Sequence, residues 1–223
     1  MQIQEAVTSR QSIRAFLPTP VDSDTIRRVL TLAARAASGG NLQPWHIDVL
    51  AGDALAALRA TMRERLAQGG EPEPTEYDIY PAALRAPWRD RRFQVGEAMY
   101  ARLGIPREDK AARRRWFSRN FDFFGAPMAL FCSVDRSMGP PQWSDLGMYL
   151  QTVMLLLRGE GLDSCAQECW AIYPATVAAA IELPPERMLF CGMAIGHRDP
   201  AHAVNALVSD RAPVDEWLRF RDA

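Results

Sequence analysis

Residues Asp145 to Glu160 constrain the fold more than any other stretch. Leu146, Met148, Tyr149, Leu150, Val153, Met154, Leu155, Leu156 and Leu157 place apolar groups nearly all round a helix, with Ser144 as its expected N-cap. A surface helix buries one apolar stripe; this one needs cover on most sides. It must run through the middle of a fold or lie against another copy, and the other segments must be arranged around it.

Three segments read as strands. Pro127 to Val134 is a short apolar run ending at Asp135, the pattern of a buried strand. Met188 to Ile195 is another, ending at Gly196. Trp45, Ile47 and Val49 alternate after Pro44. Helical spacing marks residues 2–9, a stretch capped by Asp22 or Ser23 with the stripe Ile26, Val29, Leu30, Ala33 and Ala37, a helix from Gly52-Asp53 to about Ala67, and one from Pro174 to about Glu182. Helices outnumber strands about two to one and do not alternate strictly with them, so the expectation is an α+β fold with a small central sheet under long helices. With 223 residues, 48% of them apolar, the chain has enough material for one domain with a sizeable core. Two parts stand outside the regular pattern: an excursion at about 68–120 and a C-terminal extension at about 199–223, whose Trp217 and Phe220 need cover.

The excursion opens with a polar, Pro- and Gly-rich loop at 68–82. From Leu84 to Arg119 it is dense in arginine, with Trp88, Phe93, Tyr100 and Trp116 interspersed. The formal net charge is −1, and no nucleic-acid-binding motif is present, so a partly exposed helical excursion is expected. No membrane partner is expected either: no apolar run approaches spanning length, and MQIQEAVTSR lacks the pattern of a signal peptide. Cys132, Cys165, Cys169 and Cys191 lack the paired spacing of a zinc site; free thiols in a reducing cytoplasm, and no metal, are the expectation.

Four short pieces carry chemistry. In Arg10-Gln11-Ser12-Ile13-Arg14-Ala15-Phe16, an extended backbone puts Arg10, Ser12 and Arg14 on one side. Two guanidinium forks and a hydroxyl suit a dianionic phosphate, while surface salt bridging is the plainer alternative. Ala37-Ser38-Gly39-Gly40-Asn41-Leu42-Gln43-Pro44-Trp45 combines glycines, which admit close approach of a flat ligand, with amide and hydroxyl groups. A helix-ending turn explains it equally well. Gly161 to Trp170 follows the long apolar helix directly. Gly196-His197-Arg198 follows the last strand, with Arg211 beyond it.

Together these pieces resemble the flavin-dependent nitroreductase family over nearly the whole chain. The matching motifs are RxSxRxF, GGNxQPW, DLGxxxQ before the apolar helix, GL with a following Glu, and AIGH at a strand end. Tyr80-Pro81 and Phe123 to Pro127 (FFGAP) are similar to the nitrobenzoate-type branch. The resemblance implies a mostly antiparallel central sheet flanked by long helices, an intertwined homodimer, FMN as cofactor, and NADPH or NADH as electron donor. Carried over by position, Arg10, Ser12 and Arg14 hold the phosphate and ribityl end, with Gln11 offering backbone contact beside them. Ala37, Ser38, Gly39 and Asn41 form the loop that a second subunit lays against the flavin, and Gln142 joins the cofactor set. Ala166, Gln167 and Glu168 cover the ring, and Arg211, with Arg198 as a weaker candidate, reaches the phosphate. Many relatives have Pro and Gly flanking that Glu, where this chain has Ala166 and Cys169.

The implied activity is electron transfer from NAD(P)H to a small nitroaromatic or quinone-like acceptor by a ping-pong cycle. The flavin carries the chemistry, consistent with the absence of any Ser-His-Asp or Cys-His arrangement. Two other readings stay open: a dehalogenase, enone reductase or flavin-fragmenting enzyme on the same scaffold, and a non-enzymatic flavin-binding protein. Trp88, Phe121, Phe123 and Phe124 are candidates for the walls of a substrate channel, with core packing as the alternative.

Overall fold

A computed structural model describes residues 1–221. Four strands form one sheet: β1 (His46–Ala51), β2 (Met128–Asp135), β3 (Asp163–Gln167) and β4 (Arg187–Gly196). Their spatial order is β1-β2-β4-β3, with every neighbouring pair antiparallel. Seven α-helices surround it among the described residues: α1 (Ile3–Ser9), α2 (Ser23–Ala33), α3 (Gly52–Ala67), α4 (Trp88–Arg102), α5 (Lys110–Ser118), α6 (Pro140–Gly159) and α7 (Pro174–Ala180). The α+β expectation and the antiparallel sheet both hold.

β2 shows why the sheet is covered on both faces. Its residues alternate between two cores, Ala129 and Phe131 entering one, and Met128, Leu130, Cys132 and Val134 the other. The first core is closed by α3, α7 and the aromatic turn at Phe121 to Phe124. The second is closed by α2 and α6, where Leu146, Val153 and Leu157 are fully buried. The long apolar helix therefore lies along the sheet, while Met148 on its far side stays 42% exposed.

Several boundaries differ from the sequence reading. α6 begins at Pro140, a turn before Asp145. Two prolines suit a first turn, whose N–H groups have no helical partners, and the Gln142 side chain accepts a hydrogen bond from the Gly139 N–H at 3.2 Å. Ser144 is not the cap; its hydroxyl donates back to the Pro141 carbonyl. Asp22, not Ser23, caps α2 by accepting from the Thr25 N–H at 2.8 Å. That helix stops at Ala33, short of Ala37. The excursion is two helices, α4 and α5, separated by a turn in which Gly104 has φ +64°. β3 is a strand the sequence does not announce, because Asp163-Ser164-Cys165-Ala166-Gln167 has no apolar alternation.

The β2–β4 ladder slips at Cys132/Ser133, so Phe190 bulges out of register. Its freed carbonyl accepts from the Tyr77 hydroxyl, which anchors the 68–82 loop over the sheet. The C-terminal extension packs near α4 through the Arg91–Glu216 ion pair. Trp217 and Phe220 remain 68% and 80% exposed: the chain alone does not cover them.

Candidate functional site

The segment Ser12 to Leu17 is tied down by the sheet. Ser12 bridges Ser164 of β3 in parallel, and Phe16 bridges Arg198 just beyond β4. The Ile13 N–H donates to the Ser164 carbonyl at 3.0 Å, and the Leu17 N–H to His197 at 2.9 Å. With the backbone extended, Ile13 and Ala15 are buried inward, at 0% and 4% exposure. Arg10, Ser12 and Arg14 are left on the opposite side, where they line a hollow of about 390 Å³ with Gln11 and Arg211.

Among the described residues, Arg10, Arg14 and Arg211 have no carboxylate within 4.0 Å. Burial, and then the charge of Arg211, lowers the pKa of Arg10 from its usual value. Cations that converge without a counter-charge make this hollow a candidate anion site. Arg14 Nη1 donates to the Ser12 carbonyl at 3.2 Å, and Arg211 Nη1 to the Ser209 hydroxyl at 2.8 Å, which orients both forks.

A second cavity, of about 620 Å³, adjoins the first and shares Arg14, Val95 and Leu207 with it. Ala166, Gln167, Glu168 and Cys169, at the end of β3, line it with Tyr80, Arg92 and Phe117 from the excursion. Gln167 is buried; its Nε2 donates to the Asn120 carbonyl at 2.7 Å, while its Oε1 has no donor. The Oε1 of Gln11, beside the hollow, is likewise buried and unpartnered. Two orphaned acceptors and three unpaired cations fit an elongated ligand with a phosphate at one end and O–H or N–H groups along its length. Burial raises the pKa of the Glu168 carboxyl and of the Cys169 thiol, which leaves the latter a poor nucleophile.

The remaining sequence-derived candidates lie elsewhere. Arg198 pairs with Asp163 at 2.6 Å, and Arg158 meets the same carboxylate at 2.7 Å. Gln142 serves the start of α6. Ala37, Ser38, Gly39 and Asn41 line neither cavity; their loop sits on α6, where buried Asp145 accepts from the Gly39 N–H at 3.2 Å. Gly40 and Asn41 have φ +56° and +58°, and the turn is closed on itself, with the Asn41 N–H donating to the Ser38 carbonyl at 3.0 Å and the Gln43 N–H to the Ser38 hydroxyl at 3.1 Å. Phe121, Phe123 and Phe124 are core residues, at most 2% exposed, and line neither cavity; positive φ at Phe123 and Phe124 turns them inward. Trp88 is exposed and lines neither cavity.

The sequence reading missed three polar residues that hold the site. Asn205, Asp163 and Asp145 are all buried, and each fixes backbone or arginine from a distant part of the chain.

A family model described as the nitroreductase family matches residues 7–197. The chain belongs to the nitroreductase family. A 4-nitrobenzoate reductase of Nocardioides sp. (strain LMS-CY) is 35% identical, over 96% of this chain and 87% of that one. Among solved structures, the FMN and NADPH-dependent nitroreductase NfnB from Sphigopyxis sp. strain HMH matches all of both chains at 48% identity with a TM-score of 0.96. The FMN-dependent nitroreductase NfnB from Mycobacterium smegmatis, in complex with NADPH, matches 98% of this chain and 97% of that one at 29% identity, with a TM-score of 0.92.

Proposed function

We propose that this nitroreductase is an FMN-dependent oxidoreductase that takes electrons from NADPH or NADH and passes them to nitroaromatic or quinone-like acceptors. The observation that carries the reading is the cluster of Arg10, Arg14 and Arg211, which lacks a counter-charge and adjoins a cavity with unsatisfied acceptors. Arg10, Ser12, Arg14 and Arg211 hold the FMN phosphate. The unpartnered Oε1 atoms of Gln11 and Gln167 would serve as acceptors for O–H or N–H groups of the FMN. FMN supplies the redox chemistry when bound.

The chain's own residues bind, orient and exclude water. Tyr80 and Phe117 give the cavity aromatic walls for a flat ring. Ala166 to Cys169 offer backbone at its β3 end. Glu168 keeps its proton to higher pH than an ordinary carboxyl does. Donor and acceptor use the same cavity in turn, which is a ping-pong order. The chain works as one unit over 1–223 in the cytoplasm, with a second copy laying Ala37, Ser38, Gly39 and Asn41 against the site; uncovered Trp217, Phe220 and Met148 support a dimer.

The test is a visible spectrum of the purified protein, followed anaerobically by NADPH, NADH and 4-nitrobenzoate. The expected result is a yellow protein that either nucleotide bleaches and 4-nitrobenzoate recolours. Arg14→Ala should lose flavin on gel filtration, because a buried phosphate charge loses its partner. A yellow protein that neither donor bleaches overturns the enzymatic reading. A colourless protein that FMN does not reconstitute overturns the site.

A further inference from the structure

The excursion from Leu84 to Arg119 holds eleven basic and four acidic residues in a chain whose formal net charge is −1. Some of its arginines are neutralised locally: Arg89 by Asp90, Arg91 by Glu216 and Arg113 by Glu97. Arg92 is not. Among the described residues no carboxylate lies within 4.0 Å of it. Its guanidinium lies over the Tyr80 ring instead, 4.0 Å from the centroid, and both residues line the 620 Å³ cavity. The ring face holds the guanidinium by cation–π attraction, and no hydrogen bond among the described residues engages its N–H donors.

The rest of the lining limits what those donors can meet. Val95, Met99, Phe117, Ile172 and Leu207 make the cavity suited to an apolar ring. Among the described residues Glu168 is the only carboxylate there, and burial disfavours its charged form. Arg14, the other cation, belongs to the phosphate cluster. An aromatic ring carrying one carboxylate satisfies the apolar walls and the free guanidinium together.

Building on the function proposed above, we propose that Arg92 determines acceptor specificity by seating the carboxylate of an acidic nitroaromatic while the ring occupies the cavity. The planar fork matches a carboxylate in two-point geometry. The excess positive charge of the excursion draws such anions toward the cavity. The shared chemistry is an anionic group on the incoming molecule, and a donor phosphate would present it too, so the test separates the two.

Wild type, Arg92→Gln and Arg92→Lys, all FMN-loaded, are compared in three measurements. Titration calorimetry with benzoate reads binding without turnover. The ratio of kcat/KM for 4-nitrobenzoate to that for nitrobenzene reads acceptor preference. The ratio of KM for NADPH to that for NADH reads the donor. In R92Q, benzoate affinity and the acceptor ratio should each fall roughly tenfold, through KM, with the donor ratio unmoved. R92K keeps the charge but loses the planar fork, and should fall between the two. Unchanged benzoate affinity and acceptor ratio in R92Q overturn the proposal. So does a donor ratio that moves while the acceptor ratio does not, which gives Arg92 to the NADPH 2′-phosphate. A wild type that reduces neither nitro compound defeats the underlying function, and the benzoate titration still decides the role of Arg92.

Discussion

The backbone N–H of Arg14 donates to the Asn205 side-chain oxygen at 2.9 Å, across 191 residues of sequence. The same amide group donates from Nδ2 to the Ala15 carbonyl at 2.8 Å and to the Asp199 carbonyl at 2.9 Å. One buried side chain thus satisfies three backbone groups and fixes which way the Arg10–Arg14 segment faces.

Asn205→Ala strands those groups in a site that is 8% exposed. The expected loss is about 2–3 kcal/mol, the cost of leaving buried polar groups unpaired. FMN affinity falls with it, because Arg14 is no longer aimed. Urea unfolding and flavin titration check both; unchanged stability removes Asn205 from this role.

If the proposed phosphate site holds, Arg211 acts with opposite sign in the empty and the loaded protein. Without an anion it disfavours the charge on Arg10. Arg211→Ala should leave the apoprotein slightly more heat-stable and its FMN affinity about tenfold weaker, the loss of one charge-assisted contact. Melting curves with and without FMN show it as a smaller gain on loading. An equal gain in both proteins contradicts the phosphate cluster.

Gly192 lies where β4 passes under Trp170. A Cβ there would stand 2.5 Å from Trp170 Cδ1 and 3.2 Å from Phe131 Cε1. Both rings are fully buried, so neither has room to retreat. Gly192→Ala should cost about 1–3 kcal/mol from overpacking. Wild-type stability in that variant, measured by chemical denaturation, contradicts the rigidity of this aromatic cluster.

Burial raises the Glu168 carboxyl above its usual value of 4.5. Between that value and the raised one, the folded chain binds more protons than the unfolded chain, so stability falls as pH rises through the interval. The penalty is complete at pH above the raised value and absent below about 4.5. Glu168→Gln should therefore melt higher than wild type at pH 7.5, with the difference vanishing near pH 4. A constant difference at both pH values excludes titration of Glu168 as the cause.

Elements that announce themselves by local pattern could be read from the sequence. β2 and β4 are apolar runs, α6 is apolar nearly all round, and the alternation from Arg10 to Phe16 puts Ile13 and Arg14 on opposite sides as expected. β3 was not readable, because its neighbours β4 and the Ser12 segment make it a strand, not its composition. Asp163, Asn205 and Asp145 were not readable for the same reason: a polar residue becomes structural through partners far along the chain. The aromatic turn misled in the other direction. Phe121, Phe123 and Phe124 offer flat surfaces on paper, but positive φ turns Phe123 and Phe124 into the core. Tyr80 and Phe117 line the cavity in their place.

Arg14 stands in the wall between two hollows and belongs to both. Its charge is a shared resource. While the phosphate hollow is empty, Arg14 is as available as Arg92 to any small acid that enters the larger one. Once a phosphate engages Arg14, Arg92 is left as the only unclaimed cation among the described residues of the larger cavity. On the proposed assignment, loading would then sharpen selectivity as well as confer reactivity: the unloaded protein would be a loose trap for anions, and the loaded one would distinguish among them by shape.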